Sequence, residues 1–411
     1  MNQPKSVDTD EKFLTKPLLI IYITVFIDLV GFGIVIPLLP YYGEIFSASP
    51  FEVEMLFAVY SAMQFIFAPI LGGLSDKYGR RPILFLSLIG SAVGYLIIGY
   101  ASTLILVFAG RIIAGITGGN ISTAQAYIAD VTKKEDRARG MGLFGAMFGL
   151  GFVFGPAIGG VLSKYSIQAP FLFAAILTFA NALALYFVLP ETRKKETAEK
   201  SYKSNRFAEL FSVLKNRQFS IITLIYFLLV TSFSVMTASF TLFTIYRFNY
   251  SAFQNGLIFT YIGALAIFLQ GFLFNKLVKK FTEPPLIVIG CTLLFGSFFL
   301  IPYVGPNSGG INVLLAVVGI MAVGNSLSSP ALSSIASKIS DDDSQGKALG
   351  LMQSSASLAR AVGPVIGAVL INNSFNKIDD STIQRTFWVA SAIMLISLLV
   401  SFYYLKIGQY E

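Results

Sequence analysis

Apolar residues gather along this chain into twelve long runs separated by short polar stretches. They fall at about 17–42, 55–75, 83–101, 104–129, 140–163, 169–190, 219–246, 254–275, 285–304, 311–337, 347–371 and 385–406. Roughly 20 apolar residues, rising 1.5 Å each, carry a helix across the hydrocarbon of a bilayer. Each run therefore predicts a membrane-spanning helix. The strands of a membrane barrel would read as ~10-residue alternating segments, which is not the pattern here. The first run lacks the short apolar core and small-residue cleavage site of a signal peptide, so it is expected to be retained. The expected fold class is an all-α membrane protein with twelve transmembrane helices.

Composition agrees. Of 411 residues, 55% are hydrophobic and 13% charged, about half the charged share of a soluble domain. With no His and a single cysteine, Cys291, the chain has no His-based triad, His-ligated metal or intrachain disulfide. No phosphate-cradling Gly-Lys-Ser/Thr loop occurs. No metal, cofactor or enzymatic activity is expected. The net charge of +8 is explained by where it sits: of 30 Lys and Arg residues, 24 fall in loops on one side, 4 on the other, and Arg111 and Arg360 inside helices. Cytoplasmic loops carry the excess of Lys and Arg, so both termini are expected in the cytoplasm. A nucleic-acid partner is not expected.

The longest polar stretch, 191–218, divides the chain into six helices and six helices. The expected organisation is a first bundle at 1–190, a cytoplasmic linker at 191–218 and a second bundle at 219–411. The halves resemble each other. Gly155-Pro156-Ala157-Ile158-Gly159 answers to Gly363-Pro364-Val365-Ile366-Gly367, and Gly142-Leu143 to Gly350-Leu351, both at an offset of 208. Gly72-Gly73-Leu74-Ser75-Asp76-Lys77 has a decayed counterpart at Gly271-Phe272-Leu273-Phe274-Asn275-Lys276, offset 199. Parallel repeats of this kind are a transporter architecture, with the substrate site between halves at mid-membrane.

Gly72-Gly73-Leu74-Ser75-Asp76-Lys77-Tyr78-Gly79-Arg80-Arg81-Pro82 resembles the signature of the major facilitator superfamily between its second and third helices. The resemblance implies a cytoplasmic gate built from Gly72, Asp76, Gly79, Arg80, Arg81 and Asp130, with Arg80 placed to bridge Asp130. Gly151-Phe152-Val153-Phe154-Gly155-Pro156-Ala157-Ile158-Gly159 is similar to the helix-five motif of drug-extruding antiporters. Gly151, Gly155 and Gly159 share one face, which permits close helix approach, and Pro156 bends the helix. Asp28-Leu29-Val30-Gly31-Phe32-Gly33, Tyr60-Ser61-Ala62-Met63-Gln64 and Gly110-Arg111-Ile112-Ile113-Ala114-Gly115 resemble the tetracycline-efflux branch of the proton-coupled drug antiporters. That branch has an acidic residue in helix three, where this chain reads Ala92-Val93-Gly94-Tyr95, and a His in the second half, which this chain lacks.

Charged residues at membrane depth are rare and usually functional. Asp28 reads as the only deeply placed carboxylate. It is the candidate proton-exchanging group, with Arg111 setting its protonation and orienting substrate; the alternative is a fixed Asp28–Arg111 ion pair. Gln64, Asn120, Gln125, Asn325, Gln353 and Arg360 are candidate cavity residues. The leading expectation is proton-coupled efflux of amphiphilic small molecules by a monomer in a bacterial inner membrane. The alternatives are a transporter of an anionic metabolite or lipid using Arg111 and Arg360, and a non-transporting receptor on a transporter fold.

Overall fold

The structure is a computed structural model, and it describes residues 14–132, 136–192, 216–339, 345–373, 375 and 377–407. The side chains of 137, 138, 148, 275 and 345–347 are outside the description. So are Lys5, Lys12, Lys133, Lys134, the linker residues 193–215 and Asp341-Asp342-Asp343.

Twelve helices among the described residues are long and apolar enough to span a membrane. They are α1 (Lys16–Ile45), α2 (Pro50–Tyr78), α3 (Arg80–Gly99), α4 (Leu104–Val131), α5 (Arg139–Leu162), α6 (Ala169–Val188), α7 (Arg217–Phe248), α8 (Ala252–Leu273), α9 (Glu283–Tyr303), α10 (Gly310–Lys338), α11 (Ala348–Ile371) and α12 (Asp380–Lys406). Six precede residues 193–215 and six follow them. Side chains such as Ile105, Ile176, Phe187, Phe272 and Leu399 point outward and remain exposed, an apolar surface that suits lipid.

Helix starts are set by capping. Ser49 accepts from the Glu52 N–H while the Glu52 carboxylate takes the Ser49 N–H, and Pro50 occupies the first turn. Ser251 and Gln254 make the same box at the head of α8. A capping box satisfies two orphan donors at once. Consequently α2 begins five residues earlier than its hydropathy suggests, and Glu54 lies inside it. At α12, Asp379 accepts from Ser381 Oγ and the Thr382 N–H. These bonds, Ser381 first, hold its carboxyl down at about 2.

Packing within each half relies on small residues. Gly151, Gly155 and Gly159 of α5 lie on α1: a Cβ on Gly155 would fall 2.7 Å from Gly33 Cα, and one on Gly159 3.2 Å from Ile34 O. In the second half, a Cβ on Gly363 of α11 would fall 2.5 Å from Ser234 Cβ of α7. The helix-five motif and its repeat thus seat equivalent helices on α1 and α7.

The halves share a buried core at one end only. The core of the first half nearest its α1–α2 loop includes Ala238, Leu242, Ala252 and Ile371 of the second half. Its core at the other end, around Leu18, Tyr22, Leu84, Tyr127 and Leu185, consists of first-half residues alone. We call the latter the basic end, because it carries the Lys- and Arg-rich loops, and the former the sealed end. At the sealed end Tyr41 Oη donates to Tyr250 O at 2.5 Å and accepts from Asn255 Nδ2. Also there, Lys164 lies 3.6 Å from the Phe253 ring centre. Toward the basic end Gly73, Gly142, Gly145, Gly271 and Gly350 have open space where a side chain would stand.

Candidate functional site

Helix α4 breaks at Gly118 and Gly119 and restarts at Asn120. The break frees carbonyls inside the bundle, and such groups must find partners in lipid. Gln64 Nε2 donates to Gly118 O at 3.0 Å, and Ser122 Oγ bridges to Ala68 O at 3.1 Å. Gln64 therefore ties α2 to the broken helix. Asn120 opens the second segment, and its side-chain amide faces the Asp28 carboxyl. Asp28 is 8% exposed and sits at the head of that segment, where the helix dipole favours an anion.

Arg111 is 1% exposed, yet it makes no ion pair with Asp28. Its Nε donates to Leu56 O at 3.0 Å and its guanidinium lies 4.1 Å from the Tyr60 ring centre. One guanidinium nitrogen, Nη1, has no partner. The fixed Asp28–Arg111 pair is thus not formed: a backbone carbonyl and a ring face hold Arg111 instead. Tyr60 and Tyr95 both lie within electrostatic reach of Asp28 and Arg111. Tyr95 stands in the helix-three segment where the resembled branch has an acid. Arg360 of α11 donates to Ser357 Oγ at 3.0 Å and lies within electrostatic reach of Tyr60 and Tyr226. Asp28, Tyr60, Tyr95, Arg111 and Arg360, drawn from both halves, thus lie within electrostatic reach of one another through Tyr60. Gln125, Asn325 and Gln353 are half-buried. Met236 and Phe240 of α7 belong to the second-half core.

At the basic end, Arg80 binds Asp76 at 2.8 Å and Asp130 at 3.0 Å, and donates to Ser75 Oγ at 2.6 Å. Ser75 in turn donates to Gly72 O. Gly79 has φ of 106°, a left-handed conformation that glycine adopts without a Cβ clash. Glu191 fills the space beneath it and takes the Arg80 and Arg81 N–H groups, both at 3.0 Å. It thereby caps α3, which has no side-chain cap of its own. Arg81 stacks on Tyr186 and donates to its carbonyl. The candidate gate residues therefore join α2, α3, α4 and the end of α6. Hydropathy assigns Glu191 to the linker; its role in the bundle becomes visible only once α3 and α6 lie side by side.

The second half carries a sign-reversed counterpart. Glu283 at the start of α9 accepts from Ser334 Oγ and from Lys338 at the end of α10. In the first half the cation starts α3 and the acid ends α4.

One deep residue was missed. Asp28 is not the only deeply placed carboxylate, because Glu54 on α2 is 0% exposed. Ser239 Oγ of α7 donates to Glu54 Oε1 at 2.5 Å, and a Cβ on Gly367 of α11 would fall 2.9 Å from Oε2. The Ser49–Glu52 capping spacing was the available signal, since it moves the helix start ahead of Glu54.

Comparison with known proteins now adds to this geometry. The family described as Major Facilitator Superfamily matches residues 21–324 and 287–409. The tetracycline resistance protein class H of Pasteurella multocida is 33% identical over 400 residues, covering 95% of this chain and 96% of that one. Class C of Escherichia coli is 35% identical over 387 residues, covering 92% and 94%. Among solved structures, the human organic anion transporter MFSD10 (TETRAN) superimposes with a TM-score of 0.68 at 23% identity, covering 94% of this chain and 99% of that one. The chain belongs to the Major Facilitator Superfamily, as a multi-pass membrane transporter that resembles the superfamily's tetracycline-resistance proteins over most of its length.

Proposed function

We propose that this transporter exports amphiphilic small molecules in exchange for protons, and that Asp28 carries the exchanged proton. One observation supports this above the rest: Asp28 is buried without an ion-pair partner among the described residues, with the neutral Asn120 amide beside it. A permanent salt bridge would fix its charge; a single amide contact leaves the carboxyl free to gain and lose a proton as the cluster meets water from either side. Positive-inside asymmetry makes the basic end cytoplasmic. The state described here, whose halves share a core at one end and not at the other, is then read as the cytoplasm-open half of an alternating-access cycle. The Arg80–Asp76–Asp130 network is the proposed cytoplasmic gate.

The test is uphill efflux of a lipophilic dye in energised vesicles. Efflux should collapse with an uncoupler, and Asp28→Asn should reduce uphill transport to the passive level while sparing exchange. Full uphill activity in Asp28→Asn removes Asp28 from the mechanism. Binding without flux would instead indicate a receptor.

A second reading has its own observation. Arg111 lies on the Tyr60 ring and Arg360 within its electrostatic reach, neither is ion-paired among the described residues, and Arg111 keeps a nitrogen with no hydrogen-bond partner. Two cations against one acid suit a substrate carrying negative charge. Arg360→Ala should then weaken anionic dyes more than cationic ones; equal weakening rejects this reading.

A further inference from the structure

We propose that Glu54 is a second proton-binding site, a lock that lets the sealed end close only when its carboxyl group carries a proton. The proposal rests on the alternating-access reading above but not on Asp28.

The geometry is that of a carboxyl group caught in a seam. Glu54 belongs to the first half, while its carboxyl meets Ser239 of α7 and Gly367 of α11 in the second. Ser239 supplies one hydrogen bond, and Oε2 has none. The charged and titratable groups on neighbouring elements are engaged elsewhere. On α2, Glu52 closes its capping box and Tyr60 lies under Arg111. On α4, Arg111 is held by Leu56 O. On α7, Arg247 pairs with Asp380 at 3.1 Å and donates to Pro302 O. On α11, Arg360 binds Ser357. On α1, Tyr41 Oη serves Tyr250 and Asn255, Tyr42 Oη serves Ile98 O, Asp28 lies beside Asn120, and Glu44 is exposed.

An ionised carboxylate buried with one neutral donor and no cation is costly, whereas the neutral acid is tolerated. Opening the seam separates Glu54 from Ser239 and Gly367 and admits water, where the ionised form is stable. Closing must therefore be accompanied by uptake of one proton from the water on that side, and the next opening returns it to the same side. The lock moves no net charge; it makes closure depend on the acidity of the compartment that the sealed end faces. Packing alone does not call for an acid here. Counted from the matching caps Ser49 and Ser251, the position of Glu54 in α2 is that of Gly256 in α8, and the seam there closes on glycine.

The test uses the full chain in lipid nanodiscs with Cys291→Ser, spin-labelled at Ser102→Cys and Ser308→Cys, two exposed loop positions of opposite halves at the sealed end. The protonated form favours closure, so the closed fraction should fall as pH rises. Glu54→Gln, which mimics the protonated acid, should stay closed at every pH. Ser239→Ala leaves Glu54 in place but removes its donor, and should move the transition to lower pH. Asp28→Asn should retain the transition. A pH response unchanged in Glu54→Gln, or two distances whose ratio ignores pH in the parent, overturns the lock and leaves alternating access intact. If Glu54→Gln does not fold, a transition unmoved in Ser239→Ala overturns it equally. A single distance under all conditions overturns alternating access and the lock together.

Discussion

The two seams between the bundles occupy matching places in the repeat and are closed by different chemistry. At α5–α8 the contact is backbone on backbone: a Cβ on Gly256 would fall 2.7 Å from Pro156 O and 2.8 Å from Gly160 Cα. At α2–α11 a carboxyl group fills the equivalent place, wedged against Gly367 and bonded by Ser239. A glycine seam has nothing to titrate, so its closure depends on shape alone. A seam holding an acid responds to the proton as well. One half of the repeat thus supplies fit and the other supplies a condition on that fit.

The largest effect that would break this comparison is expected at the glycine seam. Gly256→Ala pushes a methyl group into backbone that cannot swing aside. Overpacking of this kind costs ~1–3 kcal/mol, which is roughly a 5- to 150-fold loss of the closed state. Short-span cross-linking of Lys164→Cys to Phe253→Cys should report it, equally at all pH values. A yield like the parent's would show that the seam is slack.

A smaller effect is expected from Gly367→Ala, because the methyl group meets a side chain, Glu54, which can turn. The sharper form of this test is a cycle. In a Glu54→Ala background, Gly367→Ala should become nearly silent, since the two residues act through one contact. Additive losses in thermal stability would mean that Gly367 meets something other than Glu54.

The smallest effect is expected from Tyr41→Phe, which removes the hydroxyl bridging Tyr250 and Asn255 beside the glycine seam. Loss of a hydrogen bond costs ~0.5–1.5 kcal/mol. The melting temperature should fall modestly with no change in pH dependence. A shift in the pH transition would place a titrating group on this seam too and dissolve the contrast.

The legibility of the parts differs for physical reasons. Spans were readable because a bilayer demands long apolar runs, and α3, α4 and α6 fall within a few residues of expectation. The start of α2 was not, because hydropathy treats Glu52 and Glu54 alike as loop. One carboxylate caps the helix at the surface and the other is buried inside it. Arg80 and Asp130 were paired in advance because the loop pattern and the end of helix four bring them to one face. Glu191 and the sign-reversed Glu283–Lys338 pair carry no comparable local pattern. Asp28 and Arg111 could be recognised singly from the cost of charge in hydrocarbon. Whether they touch depended on the break at Gly118 and Gly119, which turns Asn120 toward Asp28 and leaves Arg111 to Tyr60.

The sequence by itself determined the membrane class, the number of spans, the repeat and the residue types at depth, because hydropathy and charge act along the chain. Tertiary structure alone decided which charges pair beyond Arg80 and Asp130, which end is sealed and what sits in each seam. Those outcomes depend on side chains far apart in sequence, such as Glu54, Ser239 and Gly367, arriving at one place where water is absent.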